Sequence, residues 1–143
     1  MGLSDILFSF NGRINRGKFW WGYLVATLIS LAIMGVASYL LPWDQMMVLG
    51  PDGAPVLDEA GAPQMNFENV SWGPAILFGV GLLMSMVMGF ALMIKRCHDR
   101  GKSGWWSLIA MIPIVGGIWL IIDLGIMEGD EGPNQYGPNP LRV

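Results

Sequence analysis

The densest group of side chains that could do chemistry lies between residues 95 and 104, where the chain reads KRCHDRGKSG. Cys97, His98 and Asp99 are the residue types that serve as nucleophile, general base and orienting carboxylate in covalent catalysis. Immediate neighbours on a helix do not face one another, and the chain has no second cysteine or histidine. We therefore expect no enzymatic activity here, and we interpret His98 and Asp99 as hydrogen-bonding anchors of a tight connector.

Neither a metal site nor a nucleotide site is expected in this segment. A single histidine does not supply the several ligands that a zinc site needs. The sequence Gly101-Lys102-Ser103 is similar to the end of a phosphate-binding P-loop, but that motif needs a glycine at the position of Arg96. The sequence therefore predicts a protein that uses no metal and no cofactor.

The same segment is rich in basic residues, and a second basic segment near the N-terminus reads FNGRINRGKFWW. Anionic headgroups attract such residues by about 1 kcal/mol each, and arginine can bind a phosphate through two parallel hydrogen bonds. An alternative is that these charges only set topology, with side chains that reach along the membrane to water. The predicted ligand- or headgroup-binding residues are Arg13, Arg16, Lys18, Arg96, His98, Asp99, Arg100, Lys102, Trp105 and Trp106.

The elements that must position these residues are strongly apolar. Charged residues make up 13% of the 143 residues, against about 25% in a typical soluble domain. Three apolar runs at 19–41, 72–94 and 105–122 contain no charge, and about 20 such residues span a hydrocarbon core. The sequence predicts an all-α integral membrane protein, a single membrane domain over 1–143 with transmembrane helices at about 19–41, 72–94 and 105–126.

The third run is the shortest and contains Pro113, Gly116 and Gly117. One interpretation is a single kinked helix, because proline cannot donate a hydrogen bond within the helix. The alternative is a re-entrant hairpin that turns at 113–117, but turning backbone inside lipid leaves polar groups unpaired. We favour the kinked crossing.

Charge asymmetry predicts the orientation of these helices. Seven of the eight basic residues precede the first run or lie between the second and third, whereas the loop 42–71 has no Lys or Arg and five acidic residues. Cytoplasmic loops carry the excess of basic residues, so the N-terminus is expected in the cytoplasm and the loop outside. Three crossings would place the tail 127–143 outside as well.

Smaller elements are expected at either end of the first apolar run. Leu3, Ile6, Leu7 and Phe10 recur at helical spacing, which predicts a short interfacial helix over 3–10 on the inner leaflet. In the outer loop, segments 46–49 and 54–57 flank a Gly-Pro-Asp-Gly sequence that favours a small β-hairpin.

Small residues recur every four positions within the first two runs, a spacing that lets helices approach closely. Such contacts could form within one chain or between chains, and the pattern leaves this open. The small residues are Gly22, Ala26 and Ser30 in the first run and Gly81, Ser85 and Gly89 in the second.

Three motifs together resemble one known family: FNGRINRGKFWW, KRCHDRGKSGWW and the closing GPNQYGPNP. They resemble the bacterial membrane proteins called domain of unknown function 805. The resemblance implies a location in the bacterial inner membrane and a compact fold with several spans, without an assigned activity. The loop 42–71 is longer than the family pattern. The positions that match the family motifs are Arg13, Arg16, Arg96, His98, Asp99, Lys102, Trp105, Trp106 and Tyr136.

These observations predict a non-enzymatic inner-membrane protein whose cytoplasmic basic and aromatic face binds anionic lipid, a phosphate-bearing ligand or a membrane-protein partner. A homo-oligomer is a further possibility. Nucleic acid is not expected as a partner, because the net charge is −3 and nonspecific binding needs a basic surface. Two alternatives are a subunit of an oligomeric transporter or channel, and a lipid-acting enzyme that uses His98 and Asp99.

Overall fold

The computed structural model describes residues 2–42, 46–68 and 72–142, and it is mainly helical. A short helix α1 is followed by two long helices, α2 and α3, and then by three short helical turns. The elements are α1 (Leu3–Phe8), α2 (Arg16–Leu40), α3 (Trp72–Asp99), a 3-10 helix (Gly104–Met111), α4 (Val115–Trp119) and a π-helical segment (Leu120–Ile126).

Helices α2 and α3 are long and apolar enough to cross a membrane, as predicted for the first two runs. A capping residue marks the start of α2, and a glycine marks the end of α3. The Asn15 side chain accepts a hydrogen bond from the backbone N–H of Lys18 at 2.8 Å, which satisfies a free donor at the start of α2. Gly101, with φ +67°, ends α3 because a left-handed residue lets the next N–H groups bond back to the last carbonyls.

The chain forms two compact units, one of Met1–Ser30 and Leu83–Val143 and the other of Leu31–Leu82. In the first, a Cβ on Gly22 would lie 2.6 Å from the Leu92 side chain. In the second, a Cβ on Gly81 would lie 3.0 Å from Ile33. Both glycines therefore permit close helix contacts within the chain, the first of the two uses that the small-residue spacing allowed.

Helix α1 is present over Leu3–Phe8, shorter than the predicted 3–10. Ile6 and Leu7 are buried in the core of the first unit, whereas Leu3 is half-exposed. The buried Lys95 ammonium donates hydrogen bonds to the carbonyl oxygens of Asp5 and Ile6. Helix α1 is thus fixed by the protein interior, and its placement on a leaflet stays a prediction.

The third apolar run reverses direction instead of continuing as one helix. Ser103 caps the 3-10 helix by accepting a hydrogen bond from the Trp105 N–H at 3.2 Å. At the turn, Ile114 has φ +66°, a conformation that β-branched residues rarely adopt. The two ends of the run then meet, because Lys102 Nζ lies 2.7 Å from Asp123 Oδ1.

The predicted third crossing over 105–126 is therefore not confirmed. The geometry is that of the alternative, a hairpin that turns at 113–117. The run is not one continuous helix, because Pro113 and the positive φ of Ile114 break the helix and redirect the chain.

The described part of the outer loop has no strand, only isolated β-bridges. Three short segments bond in a closed triangle: Val48 N–H to Gln64 O at 3.0 Å, Gln64 N–H to Val56 O at 2.8 Å, and Val56 N–H to Val48 O at 2.9 Å. The predicted two-stranded hairpin is not confirmed, although its turn is present, with Gly53 at φ +76°. Residues 43–45 and 69–71 of the predicted loop lie outside the described residues.

Candidate functional site

A buried carboxylate joins the two basic motifs. Arg13 Nε donates to Asp99 Oδ1 at 3.1 Å, and Arg96 Nη1 pairs with Asp99 Oδ2. We call Arg13, Arg96 and Asp99 the arginine clamp; their side chains are at most 4% exposed. Buried charges are tolerated when they are paired and their remaining hydrogen-bonding groups are satisfied. The partners of the other arginine N–H groups therefore show which part of the chain the clamp holds.

Those other donors hold the C-terminal tail. Arg13 donates to the carbonyl oxygens of Asp130 and Gly132, each at 2.8 Å, and of Gly137 at 3.2 Å. Arg96 Nε donates to Leu124 O at 2.7 Å, and its Nη2 donates to Met127 O. The clamp thus binds the backbone of 124–137 to the N-terminal motif and to the end of α3.

This geometry bears on the predicted orientation of the tail. A tail outside the membrane would have to lie on the face opposite to Arg13, whereas four tail carbonyls accept hydrogen bonds from Arg13 or Arg96. The placement of 127–143 on the outer face depended on a third crossing and is likewise not confirmed.

His98 closes the same assembly through a different set of contacts. Its Nδ1–H donates to Gly12 O at 3.2 Å, and its ring stacks on Tyr136 with centroids 3.8 Å apart. Asn134 Nδ2 also donates to His98 O at 2.9 Å. These contacts agree with the interpretation of His98 as an anchor.

The neighbouring side chains of the CHD sequence do not form a catalytic arrangement with one another. Asp99 is bound by the two arginines, and His98 is bound by Gly12 and Tyr136. Cys97 is fully buried, so its thiol is not accessible to a substrate. Within 2–42, 46–68 and 72–142 there is also no group of three His, Cys, Asp or Glu that could hold a metal ion.

A second ionic cluster lies where the third run returns. Asp123 accepts from Lys102 Nζ at 2.7 Å and pairs with Arg100 Nη2 at 3.2 Å. The Lys102 ammonium also lies 5.2 Å from the centre of the Trp106 ring. Asp123 was not among the predicted site residues. Its contact with the connector depends on the reversal of the chain.

The predicted site residues therefore separate into a buried and an exposed set. Arg13, Arg96 and Asp99 are buried and bound internally, and the tail residues Asn134 and Tyr136 join them, which the headgroup-binding prediction did not include. The only sequence feature that could have pointed to these two tail residues is the closing motif GPNQYGPNP. The exposed or half-exposed predicted residues are Arg16, Lys18, His98, Arg100, Lys102, Trp105 and Trp106.

The charged residues of the exposed set differ in whether their side chains contact other residues of the chain. Arg16 donates to Ile126 O at 2.9 Å and to Glu128 Oε1 at 3.0 Å. The half-buried Lys18 ammonium contacts no partner among the residues that the structure describes. Trp105 is 79% exposed. A headgroup-binding role for this set stays a prediction.

Comparison with known proteins identifies related sequences. The sequence model described as "Protein of unknown function (DUF805)" matches residues 7–138. The inner membrane protein YhaH of Escherichia coli is 26% identical over 132 residues, covering 92% of this chain and 86% of YhaH. YhaI, also an inner membrane protein of Escherichia coli, is 38% identical over 60 residues, covering 41% of this chain and 49% of YhaI.

A third relative, YiiR of Escherichia coli, is 26% identical over 168 aligned positions, covering 100% of this chain and 93% of YiiR. No solved structure matches. The family match covers the first two motifs in full and residues 132–138 of the closing motif, and the related proteins YhaH and YhaI are inner membrane proteins. Because the match covers nearly the whole chain, this protein belongs to the DUF805 family.

Proposed function

We propose that this chain is a non-enzymatic inner-membrane protein whose cytoplasmic face binds anionic lipid headgroups. The observation that carries the proposal is a rim of exposed tryptophans beside Lys18, whose ammonium has no partner among the residues that the structure describes. Trp20 and Trp21 lie in the first turns of α2, next to Lys18, and Trp105 and Trp106 begin the 3-10 helix. Tryptophan prefers the headgroup level of a membrane, and a nearby cation adds attraction to anionic lipid.

We further propose that only α2 and α3 cross the membrane, with the third run as a re-entrant hairpin and both chain ends in the cytoplasm. Two observations support this topology. The ends of the third run meet at Lys102 and Asp123. The tail also contains Arg142, so all eight basic residues would then lie on the cytoplasmic side, as the positive-inside rule favours.

The hairpin satisfies much of its own backbone, which a turn inside lipid requires. At the turn, the N–H groups of Val115 and Gly116 bond to Pro113 O at 2.7 Å and to Ile112 O at 2.8 Å. The N–H of Ile118 bonds to Ile114 O at 3.1 Å. The side chain at the tip, Ile114, is 81% exposed, which suits a lipid environment.

Reporter fusions test the topology. Green fluorescent protein fused after the last residue is expected to fluoresce, and alkaline phosphatase at the same position is expected to be inactive, because the tail lies in the cytoplasm. A reporter inserted after Gly61, in the loop between α2 and α3, is the control and should give the opposite pair of results. Active phosphatase at the C-terminus would restore the third crossing and refute the proposed topology.

A Lys18→Gln variant tests anionic-lipid binding. We expect retention of phosphatidylglycerol by the purified protein to fall about fivefold, because one juxtamembrane cation contributes about 1 kcal/mol. Native mass spectrometry in a mild detergent would measure the bound lipid. Lys18→Arg keeps the positive charge at this position and serves as the matched control. Equal retention by wild type and Lys18→Gln would contradict the proposal.

A further inference from the structure

A polar cleft of about 310 Å³ opens between the start of α2 and the C-terminal tail. Small-molecule sites are typically concave and about 300–1,000 Å³ in volume, so the cleft is large enough for a small ligand. Its inner wall includes Arg96 and Asp99 of the arginine clamp. Those two groups are already bound to each other and to the tail, so they do not offer a free charge.

The outer lining of the cleft offers charges of both signs. Arg16 and Glu128 line it as an exposed pair, 3.0 Å apart. Glu131 and Arg142 line it as well, and their side chains contact no partner within the part of the chain that the structure describes. One free carboxylate and one free guanidinium on the same cleft are complementary to a ligand that itself carries both charges.

We propose that this cleft binds a small zwitterion with a phosphate ester and a primary ammonium, the chemistry of phosphoethanolamine. The guanidinium of Arg142 can bind a phosphate through two parallel hydrogen bonds. The carboxylate of Glu131 can accept hydrogen bonds from an ammonium that retains its N–H groups. A simple anion fits less well, because Glu128, Asp130 and Glu131 all line the cleft and would repel it.

The ligand could come from either of two sources, a membrane lipid headgroup or a free phosphoethanolamine. The cleft adjoins Asn15 and Arg16, at the start of a helix long enough to cross a membrane, so a headgroup at this level is within reach. The proposal goes beyond anionic-lipid binding and uses other residues than Lys18 and the tryptophans. The two ideas can therefore fail separately.

Calorimetric titration of phosphoethanolamine into the full chain, held in a detergent without phosphate, tests the cleft. Glu131→Gln and Arg142→Gln are each expected to weaken binding by at least about tenfold, since each removes a charge-assisted hydrogen bond. Glu59→Gln removes an exposed carboxylate outside the cleft, is the charge-matched control for Glu131→Gln, and should bind as wild type does. Phosphocholine should bind more weakly, because its quaternary ammonium has no N–H to donate.

Absence of binding, equal affinity for phosphocholine, or unchanged affinity in both cleft variants would overturn the proposal. None of these outcomes affects the Lys18→Gln comparison with phosphatidylglycerol, so the proposed function is judged on its own result. The same titration in nanodiscs containing phosphatidylethanolamine separates the two sources. Loss of phosphoethanolamine binding there indicates that the lipid headgroup already occupies the cleft, whereas retained binding indicates a free ligand.

Discussion

Replacing Asp99 with asparagine is expected to lower the free energy of unfolding by about 3–5 kcal/mol, because it leaves buried arginines without their counter-charge. Arg13 and Arg96 both depend on this carboxylate, and each is at most 4% exposed. Their other donors bind tail carbonyls, so the variant should also release the tail. Thermal unfolding of the detergent-solubilised protein and limited proteolysis of the tail would measure the two effects.

Glu128→Gln is the matched control for this experiment. Glu128 also pairs with an arginine, Arg16 at 3.0 Å, but its side chain is 78% exposed. Exposed ion pairs contribute about 0–1 kcal/mol, so this variant should unfold close to wild type and keep its tail protected. Similar losses for Asp99→Asn and Glu128→Gln would show that the clamp is no more important than a surface pair.

Sequence motifs identified the clamp residues but not their partners. Arg13, Arg96 and Asp99 were recognised as one basic and aromatic group, because Lys and Arg excess marks a cytoplasmic face. That rule counts charges along the chain, and it does not say which guanidinium groups are buried. Arg13 binds Asp99 across 86 residues and Gly132 across 119. Contacts this distant depend on the whole fold, so spacing could not predict them.

The third apolar run shows a different limit of sequence patterns. Hydrophobicity indicates that a segment prefers lipid, but it does not give the direction in which the chain leaves. Pro113 and the glycines at 116 and 117 kept a reversal open as an alternative. The reversal of the chain rests on two features, the distant ion pair of Lys102 with Asp123 and the left-handed backbone of Ile114. Neither has a recognisable sequence signature.

The outer loop was predicted only as far as its turn. The Gly50–Gly53 sequence does form a turn, with a hydrogen bond of 3.0 Å between Gly53 N–H and Gly50 O. A two-stranded hairpin was expected from the two flanking segments. A third segment bonds instead to both, through Gln64 with Val48 and Val56. Local strand patterns describe pairs of neighbours, so a closed set of three segments lies beyond them.

The hairpin of the third run should depend on the absence of a side chain at Gly116. A Cβ there would lie 2.5 Å from Ile109 O and 2.6 Å from Ala110 O. Both are backbone atoms, so they cannot move aside as a flexible side chain would. We expect Gly116→Ala to lower the free energy of unfolding by about 1–3 kcal/mol, the usual range for an overpacked position.

Gly117→Ala provides the contrast within the same short helix, Val115–Trp119. A Cβ on Gly117 meets no heavy atom within 4 Å among the described residues, and alanine favours a helix over glycine by up to about 1 kcal/mol. Thermal unfolding should therefore move in opposite directions for the two variants. If Gly116→Ala were as stable as Gly117→Ala, the two limbs would not be in contact, and a continuous third helix would again be the better description of this run.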